Sequence, residues 1–288
     1  MKTNLLLLDS YKDVENLISF AFSFSNRTQR HLKIVYVSDF EWMKNSYMIT
    51  ASGPVEANLV AVERTVRKEF DVAEAKMKEL VAEYMKHNTV KIPFEFKSTE
   101  INRIDLIRDE LKKDPELLLM ISNHQSYTDA SEGSVEYPDL IEEVDCPVLI
   151  LPAEQKKTEI SHGMYATSYH EEDLTALKHL YSVLGETEKF RMTVLHNERN
   201  FNFEEKLKWE GFQAIVNNIL PDEKIDFRLK TCKEFVKGVE EFIDDENPDL
   251  LVVLKEKKGF FEQVFTSDET KYVITHFHKP VLVYHEKS

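Results

Sequence analysis

Glycine is scarce in this chain, with seven in 288 residues. Loops that cradle phosphates use glycine where backbone N–H groups must approach an anion closely, so few such loops can be built. Cysteine is scarcer: Cys146 and Cys232 stand alone and form no CxxC pair. That excludes a disulfide framework and points to a reducing compartment. Long apolar runs are missing too. The four leucines before Asp9 are too short for a signal-peptide apolar region, and no stretch approaches the ~20 apolar residues of a membrane helix. Positive charge is in deficit, 37 Lys and Arg against 52 Asp and Glu, for a net charge of −15. Such a surface repels phosphate backbones and anionic lipid, which disfavours nucleic acid or a membrane as partner. Finally, no GxSxG, HExxH or GxxxxGK[ST] occurs, and no nucleophile stands with a base. The expectation is a cytoplasmic protein with no cofactor and no enzymatic activity.

What the chain does contain is a repeated phrase. "DPELLLMI" begins at Asp114 and "NPDLLVVL" at Asn247, 133 positions later. In both copies a second proline follows the first by 32 residues, Pro147 after Pro115 and Pro280 after Pro248, and each opens another apolar run, "VLIL" or "VLVY". Runs of Leu, Ile and Val without polar alternation suit strands buried on both faces of a parallel sheet. The stretches between them, "YPDLIEEVD" and "ETKYVITHF", read as short crossover helices. Upstream, the halves match more loosely. Each offers a first strand and an amphipathic helix, marked by Val14, Leu17, Ile18, Ala21 and Phe22 or by Leu174, Leu177, Leu180, Tyr181 and Leu184, with Gly185 as a stop. Next come "LKIVYVSD" and "RMTVLHNE", then "IPFEFKST" and "KIDFRLKT", then helices near 104–111 and 235–243. Each half therefore reads β-α-β-α-β-α-β-α-β. The expected domains are residues 1–153 and 154–288, joined through the polar stretch 152–162.

The first half carries 28 extra residues between Asp39 and Phe94, 55 positions against the 27 from Glu198 to Ile225. The excess, about residues 40–87, is a loop rich in apolar side chains (Trp42, Met43, Tyr47, Met48, Ile49) and a long helix from about Val55 to Lys86. That helix carries a stripe of Val66, Phe70, Met77, Leu80, Val81 and Tyr84. It suits a helix that covers the sheet and overhangs it, or a surface for a partner.

The order of elements, the first strand ending in Asp9, "VYVSD" and "VLHNE", the apolar runs after Pro115 and Pro248, and the endings "CPVLIL" and "KPVLVY" together resemble the universal stress protein family in its tandem form. The resemblance implies an α/β fold of two flavodoxin-like domains. Each has a five-stranded parallel sheet of order 3-2-1-4-5, and the two domains pair within the chain. A further pairing into a homodimer and an unidentified protein partner belong to the same expectation. In ATP-binding members the loop after the fourth strand reads G-x2-G-x9-G-[ST]. Here Ile121 and His124 occupy the first two glycine positions, and Gly133-Ser134 resembles the last pair at a spacing one residue short. In the second half Leu254, Lys257 and Ser267-Asp268 replace the whole pattern, and Asp268 adds negative charge where phosphates would sit. The resemblance thus implies a stress-response protein without the usual ATP motif. Its residual adenine-nucleotide pocket (ATP or AMP) would be Asp9, Val37, Ser122, Gly133 and Ser134. Asp9 equally suits a helix cap or a strand-end turn, and its counterpart in the second half is Ala166 or Thr167.

Three other groups have plain readings. His276 and His278 fall at a helix end, with His285 beyond, where histidine complements the helix dipole. Cys146 has the acidic neighbours Glu142, Glu143 and Asp145, which raise a thiol pKa and so suit a structural residue. The cluster "DDENPD", residues 244–249, lacks the spacing of a calcium loop and reads as a solvated turn.

Overall fold

The computed structural model describes residues 2–9, 14–37, 55–123, 140–141, 143–152, 154–185, 190–198, 202–221, 225–231, 235–255 and 279–286. The chain divides into two compact units, Met1–Cys146 and Pro147–Ser288.

In the first unit the order is β1 (Thr3–Leu8), α1 (Glu15–Thr28), β2 (His31–Val37), α2 (Val55–His87), β3 (Phe94–Thr99), α3 (Arg103–Lys113) and β4 (Leu118–Ser122). The strands are parallel in the order β3-β2-β1-β4. Every residue of β1 is buried, as an apolar run covered on both faces must be. Each such leucine contributes roughly 1.5–3 kcal/mol of burial. Phe22 of α1 stacks on Tyr84 of α2 at 4.6 Å and meets Phe94 edge-on at 5.2 Å. The predicted long helix is thus present, and its two faces differ. Ala73, Met77, Leu80 and Val81 are buried, whereas Val60 and Val72 are exposed. Residues 38–54, with the apolar loop, and the side chain of Val66 lie outside the described residues.

The second unit contains β5 (Val148–Leu151), β6 (His162–Ala166), α4 (Glu171–Leu184), β7 (Arg191–Glu198), α5 (Phe203–Ile219), β8 (Ile225–Thr231), α6 (Phe235–Glu246), β9 (Leu250–Lys255) and β10 (Val281–His285). Its parallel strands run β8-β7-β6-β9-β10, the 3-2-1-4-5 order in the numbering of that half. β5, which follows Pro147, pairs antiparallel with β10 through Val148↔Val283, Leu149↔Leu282 and Ile150↔Val281. Gly185 ends α4 as expected, but its φ of −70° is one any residue adopts. The requirement is space, since a Cβ there would lie 2.6 Å from the Tyr181 carbonyl oxygen. The second crossover helix expected at "ETKYVITHF", with His276 and His278, lies outside the described residues.

The acidic stretch 244–249 is not simply a solvated turn. Asp244, Asp245 and Glu246 close α6. Asp249 instead accepts hydrogen bonds from the backbone N–H groups of Ser161 (2.9 Å) and His162 (3.1 Å) and from the Ser161 hydroxyl (2.6 Å). Burial pulls its pKa up, but these bonds and Lys157 outweigh burial and hold it at about 2. Cys146 is buried, as a structural residue should be. Burial is the main reason its thiol pKa is pushed up to about 12.

Candidate functional site

In an open parallel sheet, ligands bind beyond the carboxyl ends of the strands where the strand order reverses. In the first unit that point lies at β1, which has β2 on one side and β4 on the other. The register pairs Leu8 with Tyr36 and Leu6 with Met120. Asp9, Val37 and Ser122, each at or just past its strand's end, therefore share one edge of the sheet. Val37 is fully buried. Gly133 and Ser134 lie outside the described residues.

Asp9 has a partner that the sequence reading missed. Arg103, the first residue of α3, directs Nη1 to Asp9 Oδ2 at 3.3 Å, and both side chains are largely buried. Asn102 caps that helix by accepting from the Ile104 N–H at 2.9 Å, which sets where α3 starts and hence where Arg103 points. Burial pushes the Asp9 pKa up to about 6, against the downward pull of Arg103 and of a backbone hydrogen bond. An arginine four residues after a strand-end "KST" carries no motif that would have announced it.

The corresponding edge of the second unit is stitched by its own side chains. Asp173, in the first turn of α4, is fully buried. It accepts from the Tyr165 hydroxyl (2.6 Å), the Thr167 hydroxyl (2.6 Å) and the His170 N–H (3.0 Å). Burial raises its pKa against these bonds. The Thr167 hydroxyl also accepts from the Tyr169 N–H at 3.0 Å. This turn holds Tyr169 at φ 65°, a left-handed conformation rare for a bulky side chain.

Beside that turn lies an aromatic cluster. The Tyr169 ring stacks on His196 at 3.9 Å, and Trp209 and Phe212 of α5 flank it at 6.1 and 5.6 Å. His196 is buried near the end of β7. Among the described residues two histidine–carboxylate groups bring their ligand atoms together, His196 with Glu198 and Glu205, and His170 with Glu172 and Glu286. The stretch "VLHNE" belongs to no motif that assigns its histidine. The signal was His-x-Glu, which puts both side chains on one face of a strand end, followed by the acidic first turn of a helix.

No family model matches the sequence, and no curated protein matches it. Solved structures do. One is a universal stress protein from Archaeoglobus fulgidus DSM 4304, with a TM-score of 0.64 and 10% identity, covering 99% of this chain and 97% of that one. The fold is that of a universal stress protein. A functionally unknown protein from Pseudomonas aeruginosa PAO1 is similar at a TM-score of 0.56 and 14% identity, over 98% of this chain and 92% of the other. The cytoplasmic domain of a prokaryotic cation chloride cotransporter is similar at 0.52 and 9%, over 98% and 94%. Among the described residues no helix is long and apolar enough to cross a membrane.

Proposed function

We propose that the chain works as a non-catalytic universal stress protein, acting in the stress response through protein contacts or as a sensor and not by turning over a nucleotide. The observation that carries this reading is the Asp9–Arg103 pair. The acid that would meet an adenine or ribose is already engaged by the protein's own guanidinium. A ligand would have to displace that largely buried contact, and breaking such a pair is destabilising unless it is replaced in kind. In the second unit the self-satisfied network of Asp173 argues in the same direction.

A second reading has one observation in its favour. Asp9, Val37 and Ser122 do share the switch-point edge, and with Gly133 and Ser134 they would form a reduced adenine-nucleotide or small-ligand pocket. Calorimetric titration of the full chain with ATP and AMP in the presence of Mg²⁺ separates the two. The first reading expects no heat of binding and no nucleotide carried through purification. Binding that Asp9→Ala abolishes would replace it with the second.

A further inference from the structure

His196 makes one hydrogen bond and withholds another. Its Nδ1 donates to the backbone carbonyl of Thr167 at 2.8 Å. A carbonyl only accepts, so the proton sits on Nδ1 and the neutral ring keeps its lone pair on Nε2. That Nε2 is buried and has no hydrogen-bond partner, although the residue is only 7% exposed. A buried nitrogen without a partner is costly and asks for an explanation.

Nε2 points at acid. Glu198 Oε2 lies 3.6 Å away. The ligand atoms of His196, Glu198 and Glu205 all fall within 4.8 Å of one another. The 3.6 Å separation is too long for a hydrogen bond. It is close to the roughly 3.3 Å edge of a tetrahedron whose metal–ligand bonds are about 2.0–2.1 Å. The Tyr169 hydroxyl is a second buried atom without a hydrogen-bond partner. Its ring stacks on that of His196 at 3.9 Å.

We propose that His196, Glu198 and Glu205 form a binding site for a divalent first-row transition-metal ion, with Zn²⁺ the best fit to one imidazole and two carboxylates. A carbonyl that fixes the imidazole tautomer through its other nitrogen is the usual outer support of a metal-bound histidine. An imidazole donor disfavours Mg²⁺ and Ca²⁺, which prefer oxygen throughout. The ion would join the end of β7 to the first turn of α5, leaving a fourth position for water within the Tyr169 enclosure. Lys208, which donates to Glu205 Oε1 at 2.8 Å, also reaches Glu204 at 3.2 Å and can yield its place there.

The second histidine–carboxylate group is the built-in control. His170 is more exposed, and its Nδ1 is already engaged by Glu172, through the carboxylate (2.8 Å) and the N–H (3.4 Å), while Nε2 faces Glu286 at 3.7 Å.

The test is calorimetric titration of the metal-free full chain with Zn²⁺, with thermal denaturation alongside. One ion per chain and a raised Tm are expected. Glu205→Gln should weaken binding by more than about tenfold, the lower end of what losing even an outer-shell partner costs. His196→Ala should abolish it, and His170→Ala should leave it unchanged. Because His196→Ala removes a buried ring and can unfold the site, Glu205→Gln, at the helix surface, carries the decision. A chain that takes up no Zn²⁺, or whose affinity survives Glu205→Gln or falls with His170→Ala, overturns the assignment.

Discussion

Asp9 holds its proton to a higher pH than an exposed carboxyl does. Its folded pKa of about 6 lies above the unfolded value of 3.8. Asp9 therefore adds most to stability below pH 3.8, and that contribution is lost as pH rises through about 6. The direction is opposite to that of the usual salt-bridged carboxylate, because burial outweighs Arg103. Replacing Arg103 by Gln removes a positive charge that opposes the effect of burial, so the Asp9 pKa should climb further. A carboxyl ¹³C NMR titration of both proteins checks this, and an unchanged or lower value in Arg103→Gln would show that the guanidinium does not act on Asp9. Sequence named Asp9 as a site residue from its place at a strand end. It could not name Arg103, whose role depends on where Asn102 starts a helix 94 residues away.

At the scale of elements, α3 is held to its sheet by a buried carboxylate. Glu110 is 2% exposed and takes ion pairs from Lys33 of β2 (2.5 Å), Lys97 of β3 (3.4 Å) and Lys113 of its own last turn (2.8 Å). Burial alone would raise its pKa, but the bonds from Lys113 and Lys33 win and hold it at about 2. This contribution is present above the unfolded value of 4.5 and is lost as pH falls toward 2. Glu110→Gln should cost about 1–3 kcal/mol at pH 7, below the range for a fully buried pair because Lys97 and Lys113 are partly in water. Urea denaturation at pH 7 and pH 3 should show that difference shrinking in acid. The elements themselves were legible, since unbroken apolar runs at β1, β4, β9 and β10 leave few alternatives to buried strands. Their polar ends were not. Asp249 looks like part of an acidic turn until the Ser161 and His162 amides are brought to it across 88 and 87 residues. The His196 group likewise needs a carbonyl from β6's turn and a carboxylate from α5.

Across the whole molecule, the repeat reads the two copies as equivalent, and the pairing of β5 shows where they meet different circumstances. β10 is the fifth strand of its copy, parallel to β9, and its other edge is covered by β5, which lies antiparallel to it within the second unit. Apolar periodicity tells that a strand is buried but not which neighbour covers its edge. A fragment spanning 147–288 should therefore melt higher than one spanning 154–288. The shorter fragment bares the β10 backbone along Val281–Val283, an apolar edge open to pairing with another chain. Sedimentation and thermal melts of both decide it, and equal behaviour would mean that β5 contributes nothing to that edge.

Cys146 ends the first unit, buried, with a thiol that scarcely ionises. Thiolate is the species that reacts with alkylating reagents and peroxide, so the native chain keeps this sulfur silent and releases it only when the surrounding core opens. Nature has thus left a chemical tally counter inside the protein: with Cys232 replaced by serine, each labelled molecule records one excursion of the first unit out of its folded form.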